Sequence, residues 1–227
     1  MITKFSVLYV GQIELDNVGK DGTPADARRY PNERFAETYF TARDVARTMD
    51  ELGYYCLWMA EHHFQREGYE VIPNLLLYST WLATQTRRLK FGCAFNVLPM
   101  WHPVRLAEDY AMADILTGGR VIMGVGRGYH TREVESFGAP MRDSKLAGTV
   151  KLPRIDDAVK AGGFLAGTPA DIIEQLKAVE KRYPGIDRVI CATPLGTPLD
   201  VQLEDLERLA KEVMPAFGGG KLAAAAE

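Results

Sequence analysis

Hydrophobic residues follow two spacings in turn along this chain of 227 residues, and the alternation predicts strands and helices. Short runs of β-branched and aromatic residues, such as residues 4–10, are typical of buried strands. Longer stretches with apolar positions three or four residues apart, such as residues 35–52, are typical of amphipathic helices. The pattern predicts strands over 4–10, 54–59, 89–98, 120–125 and 186–192, and helices over 35–52, 73–85, 103–116, 169–183 and 199–215.

The order of these elements indicates an α/β fold. Strands that alternate with helices form right-handed βαβ units and a parallel sheet. Residues 145–167 contain no clear strand–helix–strand set, which leaves five predicted strands. A closed (β/α)₈ barrel needs eight strands and typically about 250 residues, so a doubly wound sheet fits the strand count better.

Composition argues against a nucleic-acid-binding protein and against a membrane protein. The chain has 27 basic and 30 acidic residues, a net charge of −3, which gives no electrostatic footprint for nucleic acid or an anionic membrane. No apolar run reaches the roughly 20 residues that cross a bilayer. Cys56, Cys93 and Cys191 lie far apart, as expected of reduced thiols. We therefore expect a cytoplasmic protein that binds neither nucleic acid nor membranes, with a flexible tail over residues 218–227.

Glu61, His62 and His63 stand at the end of the second predicted strand. Neighbouring residues on a strand point to opposite faces, so one of the two histidines can face the carboxyl end of the sheet. An imidazole there can act as acid or base at neutral pH. The alternatives are a structural role or a metal site. A metal site is disfavoured, because adjacent ligands on a strand diverge and His102 and His130 have no metal-ligand spacing.

A glycine-rich run, Gly124-Val125-Gly126-Arg127-Gly128, follows the fourth predicted strand. Glycines let the backbone approach a flat ring or a phosphate closely, and the guanidinium of Arg127 suits phosphate. The spacing does not match a dinucleotide fingerprint. A surface salt bridge is the alternative role for Arg127.

Four stretches together resemble bacterial luciferase and the luciferase-like flavin monooxygenases. They are WMAEHHF at 58–64; VLPMWHPVRLAED at 97–109; GRVIMGVGRGY at 119–129 with Phe137-Gly138; and Gly167-Thr168-Pro169 with Gly185-Ile186-Asp187 and Val213-Met214-Pro215. The resemblance implies a TIM (β/α)₈ barrel of the luciferase type that lacks a middle segment near residues 145–167. It implies a single barrel domain over residues 1–217.

The resemblance also implies a flavin site. His62 would be the catalytic acid or base, and Glu61 would help to orient a ring or the flavin. Arg127 would contact the flavin phosphate, with Lys145 as a second basic contact. A cis peptide between Ala94 and Phe95 would lie under the flavin ring. The full set of expected cofactor-binding residues is Ala94, Phe95, Gly126, Arg127, Gly128, Tyr129 and Lys145.

The activity that the resemblance implies is flavin-dependent monooxygenation. Reduced FMN from a separate flavin reductase would react with O₂ and a small organic substrate. A deazaflavin-dependent oxidoreductase is the alternative enzyme, and a truncated, non-catalytic flavin-binding or partner protein is the alternative of another class. An incomplete barrel exposes two sheet edges, so we also expect a homodimer or another oligomer.

Overall fold

The structure is a computed structural model that describes residues 1–15, 27–139 and 154–218. Its strands are Lys4–Tyr9 (β1), Cys56–Met59 (β2), Lys90–Cys93 (β3), Asn96–Val97 (β4), Val121–Ile122 (β5), Val125–Gly126 (β6) and Arg188–Ala192 (β7). Its α-helices are Asn32–Glu51 (α1), Leu75–Ala83 (α2), Pro103–Thr117 (α3), Thr131–Ser136 (α4), Ile155–Lys160 (α5), Pro169–Arg182 (α6) and Leu199–Arg208 (α7).

Two predicted strands and one predicted helix are interrupted. The strand over 89–98 divides into β3 and β4 around the Ala94–Phe95 peptide, and the strand over 120–125 divides into β5 and β6. The helix over 199–215 is α-helical only to Arg208 and continues as a π turn over Leu209–Val213. Hydrophobic spacing does not reveal these breaks, because apolar residues continue through each predicted element.

The main sheet has five parallel strands in the order β5-β3-β2-β1-β7. Strand register puts Val7, Leu57 and Phe91 in one row, and Leu8, Trp58 and Gly92 in the next row on the opposite face. β4 and β6 pair separately, beyond the carboxyl ends of β3 and β5.

The helices at both ends of the chain cover the same face of this sheet. Phe5 shares one buried core with Met49 of α1. Its ring also meets that of Phe217, which follows α7, at a centroid distance of 6.0 Å. The Tyr54 hydroxyl donates to the carbonyl of Leu206 in α7 at 2.8 Å. A doubly wound sheet puts helices on both faces, whereas this arrangement is that of a barrel wall.

The barrel is not closed within the described residues. β5 and β7 are the outer strands, each paired on one side. Ile190 in β7 is 52% exposed, although barrel-interior positions are normally filled. Of the expected junction over residues 145–167, the structure describes residues 154–167, in which α5 begins at Ile155. The fold is therefore an incomplete α/β barrel, as the resemblance implied.

Among the described helices, we find none that combines the length and the apolar character needed to span a bilayer.

Candidate functional site

The candidate site lies at the carboxyl ends of the parallel strands, where enzymes of this architecture carry their catalytic groups. Three segments meet there: the residues after β2, the β4–β6 pair, and the turn from β6 into α4. Their side chains connect into one polar network.

Both oxygens of the buried Glu61 carboxylate accept hydrogen bonds. Its Oε2 accepts from the amide of Asn96 at 2.9 Å and from the backbone N–H of Val97 at 2.8 Å. Its Oε1 accepts from the indole N–H of Trp101 at 2.8 Å and lies 3.1 Å from Nε2 of His63. Glu61 therefore fixes β4 beside β2 and orients the ring of His63. The ring of His62 is oriented by a different carboxylate.

That carboxylate is Glu133 of α4. Nδ1 of His62 lies 3.1 Å from Oε1 of Glu133, and the same oxygen accepts from the His63 backbone N–H at 3.1 Å and from the Gln65 amide at 2.7 Å. Burial alone would raise the pKa of Glu133, but the hydrogen bonds from His62 and its neighbours hold that pKa below its ordinary value. No motif pointed to Glu133. It lies 71 residues from His62, so only the fold brings the two together.

The other side of the His62 ring faces Glu70. Nε2 of His62 lies 3.5 Å from Oε1 of Glu70, and Nε2 of His130 lies 3.6 Å from Oε2 of the same carboxylate. The pairing with Glu70 raises the pKa of His130. Burial and the nearby carboxylates raise the pKa of Tyr129 to about 12. Spacing in the sequence gave no reason to put His130 beside His62, because the two belong to different βα units.

The β4–β6 pair forms a second, more apolar part of the site. The peptide between Ala94 and Phe95 is cis, which confirms the expectation from the resemblance. Phe95 is 55% exposed. A Cβ on Gly124 would lie 1.8 Å from the carbonyl oxygen of Cys93, and one on Gly126 would lie 3.2 Å from Cβ of Phe95. Glycine at both positions therefore lets β6 lie directly beside residues 94–95.

Arg127 and Gly128 follow β6. The guanidinium of Arg127 is exposed and makes no hydrogen bond or ion pair within the described part of the chain. Gly128 has φ +78°, and a Cβ there would lie 2.5 Å from Cγ1 of Val97, so both conformation and space require glycine. Tyr129 follows, with its ring centroid 5.9 Å from that of His62. Lys145, the second expected phosphate contact, lies outside the described residues.

A cavity of about 190 Å³ opens at the carboxyl ends of β1 and β7. Leu8, Val10 and Leu195 supply apolar walls, and Gln12 and Glu70 supply polar groups. Glu70 thus faces both this cavity and the two imidazoles. The cavity is large enough for a small organic molecule.

The residues present fit a phosphorylated flavin. An exposed aromatic ring and glycine backbone offer a flat apolar surface, which suits a tricyclic ring. A guanidinium without a partner among the described residues suits a phosphate. A buried histidine, held by one carboxylate and directed at another, can hold or move a proton next to such a ring.

Solved structures share this fold. The monooxygenase RslO1 from Streptomyces bottropensis superposes with a TM-score of 0.68 at 15% identity, over 94% of this chain and 99% of that chain. The coenzyme F420-dependent tetrahydromethanopterin reductase from Methanopyrus kandleri superposes with a TM-score of 0.62 at 11% identity, over 96% of this chain and 100% of that chain. At these identities the likeness establishes the fold alone, a barrel of the luciferase type.

Curated relatives matched by sequence have a higher identity to this chain than these two structures have. The oxygenase component of the flavin-dependent trigonelline monooxygenase from Acinetobacter baylyi is 33% identical over 105 residues, 46% of this chain and 28% of that relative. The first three curated relatives are matched over 28% to 32% of their own length, so the chain spans about a third of them. The family model described as luciferase-like monooxygenase matches residues 20–150, more than half of the 227 residues, and the chain therefore belongs to the luciferase-like monooxygenase family.

Proposed function

We propose that this protein is a flavin-dependent monooxygenase that binds reduced FMN and uses O₂ to oxidise a small organic substrate. The observation that carries the proposal is the contact between the ends of β2 and β6. His62 lies 3.1 Å from Glu133, and its ring lies 5.9 Å from Tyr129. The imidazole and the strand end that bears Arg127 thus belong to one surface.

Five of the predicted residues have assigned roles in this proposal. Phe95, with the backbone of Ala94 and Gly126, supports the flavin ring, and Arg127 holds the phosphate. When bound, reduced FMN supplies the two electrons that activate oxygen. His62 holds or moves a proton at its Nε2, while Glu133 fixes the ring through Nδ1.

The cavity beside Glu70 is the proposed substrate pocket. Its volume of about 190 Å³ and mixed lining favour a small molecule with an apolar body and one or two polar groups. We further propose that reduced FMN arrives from a separate reductase, because the named relative is the oxygenase component of a flavin-dependent monooxygenase.

A homodimer is part of the proposal. Large apolar side chains stand exposed on α2 and α3, including Leu77 at 72% and Ile115 at 79% exposure. Exposed apolar surface of this kind favours association. Light scattering coupled to size-exclusion chromatography should give a dimer mass for the unmodified chain and a monomer mass for Ile115→Lys. A monomer mass for the unmodified chain would overturn this part of the proposal.

The phosphate contact can be tested by comparing two ligands. Reduced FMN and reduced riboflavin differ only in the phosphate, so their difference in affinity measures all contacts with the phosphate, and the change in that difference in Arg127→Gln measures the contribution of Arg127. We expect Arg127→Gln to weaken FMN binding about tenfold to 100-fold under anaerobic conditions and to leave riboflavin binding unchanged.

The matched control is Arg208→Gln, since Arg208 lies in the last turn of α7 and pairs with Glu212. It should bind both ligands as the unmodified protein does. Equal affinity of Arg127→Gln and the unmodified protein for FMN would contradict the assigned role. If the unmodified protein binds neither ligand, the proposed function fails and the alternative of a non-catalytic partner protein gains.

A second candidate function is deazaflavin-dependent oxidoreduction. The fold likeness to a coenzyme F420-dependent reductase favours it, because F420 is a deazaflavin. The two functions differ in their need for oxygen. Substrate oxidation that requires O₂ and reduced FMN supports the monooxygenase, whereas anaerobic reduction of a deazaflavin by an alcohol or a similar donor supports the second candidate.

A further inference from the structure

A compact cluster contains His62, Glu70 and His130. The proposed oxygenase chemistry does not require the ligand atoms of all three residues to lie close together. One ligand atom from each residue lies within 4.8 Å of the others. His62 follows β2, Glu70 precedes α2, and His130 caps the start of α4. Two imidazoles and one carboxylate form a common ligand set for zinc and other first-row divalent ions.

The separations within the cluster suit a shared ion better than direct hydrogen bonds. Nε2 of His62 lies 3.5 Å from Oε1 of Glu70, and Nε2 of His130 lies 3.6 Å from Oε2, the other oxygen of that carboxylate. An N–H···O hydrogen bond is about 2.7–3.2 Å long. Two ligand atoms that each lie about 2.1 Å from a tetrahedral ion are about 3.4 Å apart.

The hydrogen bonding of His62 also points to a cation. Its side chain is 6% exposed, and Nδ1 lies 3.1 Å from Glu133, so in the neutral ring Nδ1 is the donor. Nε2 is then an acceptor, and it faces a second acceptor, the carboxylate of Glu70. Two facing acceptors are stabilised by a positive group between them, either a cation or a proton on Nε2.

The surroundings of the cluster resemble the outer shell of a metal site. Histidine ligands of metal ions commonly donate their second ring N–H to a carboxylate, which fixes the ring and its tautomer. Glu133 does this for His62, and it is held in turn by Gln65 and by the backbone of His63.

We propose that His62, Glu70 and His130 bind one divalent first-row cation of the zinc class, with water as the remaining ligand. The site goes beyond the proposed function and departs from the expectation that the chain has no metal site. Coordination occupies Nε2 of His62, the atom assigned to proton handling. Zinc should therefore inhibit the monooxygenase that we propose.

Calorimetric titration of Zn²⁺ into chelator-treated protein without flavin tests the site. We expect one ion per chain, with affinity reduced at least tenfold in His130→Asn and in Glu70→Gln. Glu133→Gln should lower affinity about tenfold to 100-fold, as outer carboxylates do. His102→Asn is the matched control, because His102 is exposed and caps α3 outside the cluster. It should bind zinc as the unmodified protein does.

The absorption spectrum of the Co²⁺-loaded protein gives a second readout. Visible bands of a four-coordinate ion should appear with the unmodified protein and disappear with His130→Asn. Absence of zinc binding would overturn the site, since a proton on Nε2 would then be the positive group. Unchanged affinity in both His130→Asn and Glu70→Gln would overturn it equally.

The outcome is separable from that of the proposed function. FMN binding without zinc binding contradicts the metal site alone. Zinc binding without flavin binding contradicts the proposed function alone.

Discussion

The two ends of the sheet hold similar charged side chains in opposite ways. At the amino end, Arg120 donates to the carbonyls of Ala83 at 2.7 Å and Thr117 at 2.8 Å, and to the Oγ1 of Thr86 at 3.0 Å. At the carboxyl end, Arg127 has no such partner within the described residues. In a barrel of this type, the amino end serves stability and the carboxyl end serves chemistry.

Two carboxylates show the same difference in hydrogen bonding between the two ends of the sheet. Asp50 accepts three backbone N–H groups, from Arg87 at 2.9 Å, Arg88 at 2.8 Å and Leu89 at 2.7 Å. Glu70 faces two imidazoles at separations of 3.5 and 3.6 Å. Arg120 and Asp50, with their hydrogen bonds to the backbone, stabilise the amino end. Arg127 and Glu70 at the carboxyl end remain available to ligands.

Substitution of Arg120 and of Arg127 should show the largest difference in stability between the two ends. Arg120→Ala leaves several buried carbonyls without donors and should lower the free energy of unfolding by about 3 kcal/mol. Arg127→Ala removes no hydrogen bond or ion pair within the described residues and should change the free energy of unfolding by less than about 0.5 kcal/mol. Denaturant unfolding of both variants measures the difference. A comparable loss in the two variants would contradict the division between the ends.

The carboxylates provide a smaller test. Asp50→Asn replaces an acceptor of three N–H groups by an amide with one acceptor oxygen, and should cost about 2 kcal/mol of unfolding free energy. Glu70→Gln should cost less than about 1 kcal/mol, because Glu70 makes longer contacts. Thermal or denaturant unfolding at neutral pH checks both values, and a larger loss for Glu70→Gln would reverse the assignment.

The smallest expected effect concerns pH. Burial alone would raise the pKa of Asp50, but the backbone donors at Arg87, Arg88 and Leu89 and the charge of Arg88 hold it below its ordinary value. Burial lowers the pKa of Arg120, and the charge of this carboxylate opposes that shift. A depressed pKa in the folded state means that Asp50 stabilises the fold above the unfolded-state value, about 3.9. This stabilisation is lost as the pH falls through the folded-state pKa.

Unfolding of the unmodified protein and of Asp50→Asn at pH 7 and at about pH 3 measures this effect. The difference in stability between them should shrink at the lower pH. A constant difference would show that shape, and not charge, explains the effect of the substitution.

The sequence was sufficient for the main sheet, for the long helices and for part of the site, but it did not predict α4 or α5. Spacing identified β1, β2 and β7 and the helices that cover them, because burial on one face imposes a period. The resemblance led to the cis peptide at Ala94–Phe95, which spacing alone does not reveal. The hydrophobic pattern put His62 just after β2, and the resemblance singled it out from His63 as the candidate acid or base.

The network around His62 could not be predicted in the same way. Glu133 and Glu70 reach the ring from α4 and from a loop, and contacts between distant segments leave no periodic signal. Glu61 stands next to His62 in sequence, yet its carboxylate contacts His63 because adjacent side chains diverge at the strand end.

The most direct measurement of the central claim is a crystal structure of the protein with FMN bound. The flavin ring should lie over the peptide between residues 94 and 95, the phosphate should contact Arg127, and Nε2 of His62 should face the ring. A complex in which FMN contacts Arg127 but lies away from His62, or occupies a different surface, would contradict the claim that one flavin site joins these residues.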